Sequence, residues 1–286
     1  METLNESDNF AETLAREIKE PIEIGSVPDA AITRIAMPPG WNLLEKDDSK
    51  RLPAPLRKTA TIQMNDVDCY IDYIKRHGSL VDSTIWCRAD YAAGKVDFTA
   101  ILNDNGEDAS KAAWRDHVAR FTPRFSTEWN RWSDSSGKSM SQLDFATFIE
   151  ENRKDIVSPD GSGMPSGAAM LEMALQFEAT QDMRLKSHIR LQNGGISMSF
   201  IQDDDSQTIA KMDVFSKFCI GVPVFWNGDA YQVEARLKYR TRDQKVTFSF
   251  ELVRADKVLE AASNTVIEMI KDKTGNPFFF GNPFAQ

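Results

Sequence analysis

Residues 230–253, AYQVEARLKYRTRDQKVTFSFELV, are the stretch that decides the fold. In each half of this stretch apolar and polar side chains alternate, which is the two-residue period of a β-strand with one buried face. Because Arg242-Asp243 stands between the halves, the pattern predicts strands over 230–241 and 244–253 joined by a turn. Two long neighbouring strands without an intervening helix indicate an antiparallel hairpin, and they argue against a doubly wound parallel sheet.

Further strands and helices extend this pattern in both directions along the chain. Alternation and turn signals predict additional strands at 31–37, 58–64, 83–91, 95–102, 114–126, 183–191, 195–202, 207–218 and 222–225. Helical periodicity predicts helices at 5–20, 66–77, 141–153, 166–180 and 255–271. The sequence therefore predicts an α+β protein in which long antiparallel β-hairpins form a sheet with several helices packed on it.

The chain reads as three segments that together form one compact unit. Residues 1–27 form an acidic N-terminal helix or arm, which either docks on a neighbour or is a flexible terminus. A Pro-, Gly- and Ser-rich stretch at 157–167 separates an N-terminal α+β half, 28–156, from a strand-rich C-terminal half, 157–286. The C-terminal half ends in the last predicted helix and a Phe-rich tail.

Composition and charge exclude several classes of protein. The chain has 286 residues, a net charge of −9, 41% hydrophobic and 27% charged residues, which is typical of a globular protein. The acidic balance argues against a protein that coats duplex DNA, although it leaves room for a local basic face. No apolar run approaches the roughly 18 residues of a membrane span, and the N-terminus lacks a basic signal-peptide start. We therefore expect a cytoplasmic protein that does not bind membranes.

Compact catalytic motifs do not occur in the sequence. It contains no GxxxxGK[ST] phosphate loop, no GxSxG elbow and no HExxH zinc motif. The three histidines, His77, His117 and His188, are widely spaced, and the cysteines lack CxxC spacing. We predict no catalytic residues, no metal and no cofactor, and we lean towards a protein that is not an enzyme.

A metal-dependent nuclease remains as a second alternative. Restriction-like nucleases hold Mg²⁺ with an Asp on one strand and a D/E-x-K motif on the next. Asp229 precedes one long strand here, and Asp243-Gln244-Lys245 opens its partner. However, these carboxylates fall at opposite ends of the predicted hairpin, which favours their reading as ordinary turn residues.

The segment 114–132 is the densest mixture of basic and aromatic residues. Arginine and aromatic side chains together stack bases and contact phosphates in proteins that bind single strands. The candidate binding residues are Arg115, His117, Arg120, Arg124, Trp129 and Trp132. The ligand would be single-stranded nucleic acid or a nucleotide. The same pattern also fits a core strand with a charged outer face.

The C-terminal tail repeats the motif GNPF at 275–278 and 281–284. Its four phenylalanines are Phe278, Phe279, Phe280 and Phe284. This tail either folds back onto its own domain or contacts another copy of the chain, because so many exposed phenylalanines would form a sticky patch on a monomer. The second reading predicts a homo-oligomer assembled through these residues.

Several ordered strings carry a resemblance to a known family. They are WRDH at 114–117, STEW at 126–129, GK at 137–138, MSQ at 140–142, EARLKYR at 234–240, DKVLE at 256–260 and TGNP at 274–277. On these strings, from about residue 28 to the C-terminus, the chain resembles the YfdQ-like family of uncharacterised phage and prophage proteins. The acidic helix at 5–20 has no counterpart in that resemblance.

The resemblance implies a protein of a temperate phage or prophage that acts in the bacterial cytoplasm, and it supplies no catalytic residues. With the missing catalytic motifs, it predicts a non-enzymatic, self-assembling accessory protein. Such a protein would act by binding, either in phage DNA metabolism or in counter-defence. The alternative is a single-stranded nucleic-acid or nucleotide binder that uses the segment 114–132.

Overall fold

The computed structural model describes residues 52–106, 109–179, 184–190, 196–201, 210–242 and 245–284, and the strands at 22–27 and 32–36. Of 22–27, 32–36, 177–179, 184–190, 196–201, 210–213, 241–242 and 245, only the backbone is described. The chain divides into two units, residues 1–58 and 59–286, whose residues contact mainly other residues of the same unit. The predicted helix at 5–20 lies outside the described residues, and the segment boundaries at 27 and 156 stay predictions.

The first unit contains one described pair of strands. Strands β1 (Ile22–Val27) and β2 (Ile32–Ala36) pair antiparallel, and the second matches the strand predicted at 31–37. In the second unit the fold class predicted from the sequence is confirmed, because helices pack on largely antiparallel sheets.

The first sheet of the second unit has five strands in the order β15-β4-β5-β6-β3. These strands are β3 (Ala60–Met64), β4 (Thr84–Asp90), β5 (Lys95–Ile101), β6 (His117–Phe121) and β15 (Phe278–Phe280). The three central strands are antiparallel, but β3 runs parallel to β6 and β15 runs parallel to β4. The sheet is therefore mixed at both edges, and its edge strand β15 comes from the tail, which the sequence did not predict as a strand.

Two helices cover one face of this sheet and link it to the next. Helix α1 (Val67–His77) begins because the Asp66 carboxylate accepts the Cys69 N–H at 2.9 Å, and its buried face includes Tyr70. Helix α5 (Ala255–Thr274) ends at Gly275, which takes the left-handed φ of 69° that glycine tolerates best. The Tyr231 hydroxyl lies 2.9 Å from the Thr265 hydroxyl, so α5 also contacts the second sheet.

The second sheet is built on the hairpin of residues 230–253. Its order is β7-β14-β13-β12-β8, with all neighbours antiparallel. The strands are β7 (Met140–Ser141), β8 (Ile156–Val157), β12 (Lys217–Pro223), β13 (Ala230–Arg242) and β14 (Lys245–Leu252). Helices α2 (Thr127–Ser135), α3 (Gln142–Glu151) and α4 (Gly167–Ala179) accompany this sheet. A separate three-stranded sheet contains β9 (Arg184–Arg190), β10 (Ile196–Ile201) and β11 (Ala210–Val214).

Two local predictions differ from the structure. The strand predicted at 114–126 is shorter, because β6 ends at Phe121 and Ser126 starts a helix by accepting the Trp129 N–H at 2.9 Å. That helix, α2, was not predicted. The strand predicted at 207–218 is two strands, β11 and β12, and the one predicted at 222–225 is the end of β12.

Aromatic side chains fill the core between the second sheet and its helices. The rings of Phe145 and Phe248 stack with centroids 4.7 Å apart and an angle of 11° between their planes. Both residues are fully buried. The Trp132 ring lies edge-on to Phe250, with centroids 5.3 Å apart. These rings hold α2 and α3 on the hairpin that the sequence pattern predicted.

Replacing Phe145 by Ala should lower the free energy of unfolding by about 3–5 kcal/mol, because it leaves a cavity against Phe248. Urea denaturation of the two proteins measures this difference. The control is Leu143→Ala on the same helix, where the side chain is 65% exposed and the change should stay within about 0.5 kcal/mol. Equal effects of the two substitutions would contradict this packing.

Candidate functional site

The two faces of the first sheet have different chemistry. The inner face carries the buried residues Cys87, Phe98 and Phe121, and the Tyr70 ring of α1 lies 5.4 Å from the ring of Phe121. Since side chains alternate along each strand, the residues next to these point to the opposite side. We call that side the outer face. It bears polar, basic and aromatic residues in place of a second apolar layer.

One row of side chains crosses the outer face at a single register. Pairing places Phe279 opposite Trp86, Trp86 opposite Thr99, Thr99 opposite Arg120, and Arg120 opposite Gln63. We call these five residues the outer row. It contains two aromatic rings at one end, then the Thr99 hydroxyl, then the Arg120 guanidinium, and the Gln63 amide at the other end. Each of the five strands contributes one residue, so the row exists only in the assembled sheet.

A groove with a volume of about 370 Å³ lies over the outer row. Its lining includes Trp86, Arg88, Arg120 and the tail residues 281–284. A neighbouring groove of about 360 Å³ shares Arg88, Asp97 and Thr122 with the first. Both volumes fall within the range of small-ligand sites, and the shared residues make the two grooves one extended concave surface.

The polar groups of this surface differ in how far they are already paired. Arg88 forms an exposed ion pair of 3.2 Å with Asp97, and Asp97 also accepts a hydrogen bond of 2.8 Å from the Thr122 hydroxyl. The Arg120 guanidinium is exposed, and no partner for it occurs in the described part of the chain. Arg120 is therefore the cation of this surface that is most readily offered to an anionic ligand.

The aromatic end of the outer row is held in place by hydrogen bonds. The Trp86 indole N–H donates to the Thr84 hydroxyl at 3.1 Å, and that hydroxyl donates to the Asp104 carboxylate. The rings of Trp86 and Phe279 lie 5.0 Å apart at an angle of 34°. Trp86 is half-buried and Phe279 is 45% exposed. Aromatic rings and arginines that share one groove are the arrangement used to bind bases and phosphates in single-strand binding proteins.

The structure separates the six binding residues predicted from the sequence. Arg120 lies in the outer row and lines the groove, whereas Arg115 does not line it but donates a hydrogen bond to the carbonyl of the tail residue Pro283. Arg124 is exposed but lies at another cavity of about 190 Å³, where its guanidinium is 5.8 Å from the Trp226 ring.

The other three predicted binding residues are interior residues. His117 is buried, with its Nε2 2.9 Å from the Tyr73 hydroxyl. Trp129 and Trp132 are 6% and 0% exposed, and the Trp132 indole N–H donates to Asp155 at 2.8 Å. In this structure neither indole presents a face to a ligand. Both indoles pack in the core, because they are three residues apart and therefore lie on the same buried side of α2.

Sequence reasoning missed several residues of the outer face. Trp86, Arg88, Thr99 and Gln63 lie on strands that were predicted at nearly these positions. Alternation within 83–91 already places Trp86 and Arg88 on the face opposite Ile85 and Cys87. That signal could have found these two residues, whereas their alignment with Arg120 depends on strand pairing that is not local in sequence.

The Phe-rich tail pairs with its own sheet. Phe278 is half-buried, with its ring 6.5 Å from Phe98 and 4.8 Å from the Lys271 ammonium group. Phe279, Phe280 and Phe284 are 45%, 63% and 43% exposed. Folding back onto the domain therefore accounts for Phe278, and it leaves the other three rings partly in contact with solvent.

The described residues contain neither a metal-binding cluster nor a membrane-spanning helix. There, no group of three or more His, Cys, Asp and Glu side chains is arranged to hold a metal ion. Asp243 of the nuclease alternative lies outside the described residues, so that alternative stays a prediction. No helix in the described ranges is long and apolar enough to cross a membrane.

The three thiols have different environments. Cys87 lies on the inner face of the sheet, where burial raises the pKa of its thiol to about 12. Cys219 is also buried, and burial raises its pKa. Cys69 is exposed on the first turn of α1, and the hydrogen bond and the negative charge of Asp66 raise its thiol pKa. Cys69 is thus the accessible thiol of the three.

The fold and the outer face define an α+β protein with an open, mixed sheet and a polar-aromatic groove. The chain belongs to the family of uncharacterised conserved proteins designated DUF2303, whose model matches residues 5–283. No curated protein matches the chain. No solved structure matches it.

Modification of the native protein by a thiol reagent should occur at Cys69, and Asp66→Asn should accelerate it at neutral pH. Removing the carboxylate charge lowers the thiol pKa and raises the thiolate fraction, while Asn still caps the helix. Reaction rates with a chromogenic disulfide measure the effect. The control is Cys69→Ser, which should abolish the fast reaction. An unchanged rate in Asp66→Asn would contradict this account.

Proposed function

We propose that the protein acts by binding single-stranded nucleic acid on the outer face of the first sheet. The observation that carries the proposal is the outer row, in which Trp86 and Arg120 stand at one register two strands apart. Neighbouring strands are about 4.8 Å apart, so roughly 10 Å separates the two backbones. That spacing allows a base to stack on Trp86 while a neighbouring phosphate contacts Arg120.

The charge distribution supports a single strand over a duplex. A net charge of −9 opposes the broad electrostatic contact that duplex DNA requires. A single strand can lie in a narrow groove where a few arginines supply the phosphate contacts and the remaining binding comes from stacking. Gln63, Thr99 and Thr122 add hydrogen-bonding groups along the same surface.

The biological setting that we propose follows the sequence resemblance. It is that of a phage- or prophage-encoded accessory protein in the bacterial cytoplasm, which works without catalysis in phage DNA metabolism or counter-defence. Single-stranded nucleic acid arises in both settings, so binding on the outer face suits either role. The absence of compact catalytic motifs from the sequence supports a binding role.

Arg120→Ala and Trp86→Ala should weaken binding of a fluorescent thymidine oligonucleotide at low salt. Loss of stacking at Trp86 should cost about 1–3 kcal/mol. Loss of one phosphate contact at Arg120 should reduce the slope of log affinity against log salt by about 0.7. Fluorescence anisotropy titrations measure both quantities.

The matched control for this titration is Arg76→Ala. Arg76 is an exposed arginine in the last turn of α1, on the covered side of the sheet. The substitution Arg76→Ala removes the same charge as Arg120→Ala but leaves the groove intact. The affinity for the oligonucleotide should therefore stay close to that of the unaltered protein. Equal losses in Arg76→Ala and Arg120→Ala would indicate unspecific charge effects and would contradict a site on the outer face.

Self-assembly is a second candidate, and a separate observation favours it. Strand β15 is the outermost strand of its sheet among the strands described, and its Phe280 side chain is 63% exposed. An edge strand with an exposed apolar ring is a surface that monomeric proteins usually protect. We propose that two copies of the chain meet along β15.

Phe280→Asp should lower the native mass measured by light scattering at micromolar concentration. A carboxylate at the contact would have to lose its hydration when two copies meet, which weakens the assembly. The control is Leu143→Asp, which changes an equally exposed apolar residue on α3 and should leave the mass unaltered. A strictly monomeric parent protein would rule out assembly through β15.

A further inference from the structure

The last four described residues lie across the groove of the outer face. Residues 281–284 line the groove together with Trp86 and Arg120. The Gly281 N–H donates to the Cys87 carbonyl at 2.8 Å, which continues the pairing of β15 by one residue. A Cβ atom added at Gly281 would stand 3.7 Å from the Trp86 ring. The tail backbone therefore passes beside the indole, with room for about one added carbon atom between them.

Arg115 holds the far end of this segment. Its Nη2 donates to the Pro283 carbonyl at 3.1 Å, and its guanidinium lies 5.4 Å from the centre of the Phe284 ring. Its Nε lies 2.7 Å from an Asp104 carboxylate oxygen. The other oxygen of Asp104 accepts the Thr84 hydroxyl, to which the Trp86 indole donates. One polar network therefore joins the contact with the tail to the ring of the outer row.

The contacts of the tail imitate those of a nucleotide chain. Phe284 packs on the Arg115 guanidinium as a base would. The Pro283 carbonyl accepts a hydrogen bond from the same guanidinium, which is a group that also binds phosphate oxygens. A phosphate adds a full negative charge to the acceptor that faces Arg115, and a guanidinium can bind it through two parallel hydrogen bonds, whereas the Pro283 carbonyl is neutral and takes one. A nucleic acid can therefore replace the tail at this position, whereas the tail holds the position against weaker ligands.

The backbone allows the segment to leave without unfolding the sheet. Gly281 has a φ of 146°, a conformation that side-chain-bearing residues rarely adopt, so it is a natural hinge. When the segment leaves, β15 keeps its pairing with β4 at Phe278 and Phe279, and the bond from the Gly281 N–H to the Cys87 carbonyl opens with the segment. Arg115 itself has a φ of 56°, which is uncommon for a residue with a side chain and occurs where the surroundings impose it.

We propose that residues 281–284 are a displaceable cover of the nucleic-acid site, and that Arg115 exchanges the Pro283 carbonyl for a phosphate when the strand binds. This inference rests on the function proposed above. The covered state presents a reduced stacking surface at Trp86. Displacement of the cover exposes the indole and adds Arg115 to the phosphate contacts of Arg120.

The first test compares two truncated chains. One ends at Phe280 and lacks the cover, and the control ends at Phe284 and keeps it. The probe is a labelled thymidine oligonucleotide of about twelve nucleotides, within the range of site sizes known for single-strand binding domains of the OB-fold type. The chain ending at Phe280 should bind about tenfold more tightly, because apparent affinity rises with the fraction of molecules in the open state. Phe284→Ala in the full chain should shift affinity in the same direction.

The second test measures the cover directly by hydrogen exchange at the Gly281 amide. Without oligonucleotide, Arg115→Ala should raise the exchange rate about tenfold, since it releases Pro283 and Phe284. The matched control is Arg88→Ala, which changes an arginine in the groove wall and should leave that rate unaltered. Saturating oligonucleotide should also accelerate exchange at Gly281 in the full chain.

The outcomes separate the cover from the binding site. If both truncated chains bind equally and Gly281 stays protected in the complex, the cover is refuted while nucleic-acid binding stands. If the chain ending at Phe280 binds more weakly than the control, the tail is part of the site and the proposal is wrong. If neither truncated chain binds the oligonucleotide, both the proposed function and the proposed cover are refuted. If Arg115→Ala leaves the exchange rate of the Gly281 amide unchanged, Arg115 does not fix the tail in place. This conclusion is independent of the oligonucleotide titrations.

Discussion

Burial of one face of the first sheet is the constraint on which the rest of the site depends. Cys87, Phe98 and Phe121 must face α1, because their exposure would sacrifice the apolar contact that holds sheet and helix together. With the side-chain period of two, that requirement turns Trp86, Thr99 and Arg120 outwards. A slip by one residue on β4 would turn Trp86 into the buried layer, and the same slip on β6 would turn Arg120 into it. The stability of the core therefore fixes the geometry of the outer face.

The tail then defines how much of that face is available. β15 protects the edge of β4, and the residues after it lie over the aromatic end of the outer row. The same short segment thus completes the sheet and occupies its groove. The exposed rings of Phe279 and Phe280 stand at the boundary between these two roles. Assembly along the edge and binding in the groove would compete for, or share, the same few residues.

The sequence predicted the strands of this site better than it predicted how those strands pair. Alternation at 83–91 and 95–102 predicted β4 and β5 within a residue or two, because a half-buried strand leaves a local pattern. The parallel pairing of Gln63 with Arg120 and of Phe279 with Trp86 depends on contacts far apart in the chain, which leave no local mark. For the same reason, the aromatic and basic composition of 114–132 could not separate Arg120 on the surface from Trp132 in the core. Helical spacing at Trp129 and Trp132 decides that difference, and Ser126 marks where the helix begins.

The position of β15 in chain order affects how the protein is made. β3, β4, β5 and β6 all leave the ribosome before β15, with the entire second sheet and α5 translated in between. Throughout that interval the edge of β4 has no neighbour from its own sheet, and an unpaired strand edge invites pairing with other chains. The charged side chain of Arg88 on β4 is exposed near that edge, and a charge at a strand edge disfavours such pairing in nascent chains as well as in folded ones.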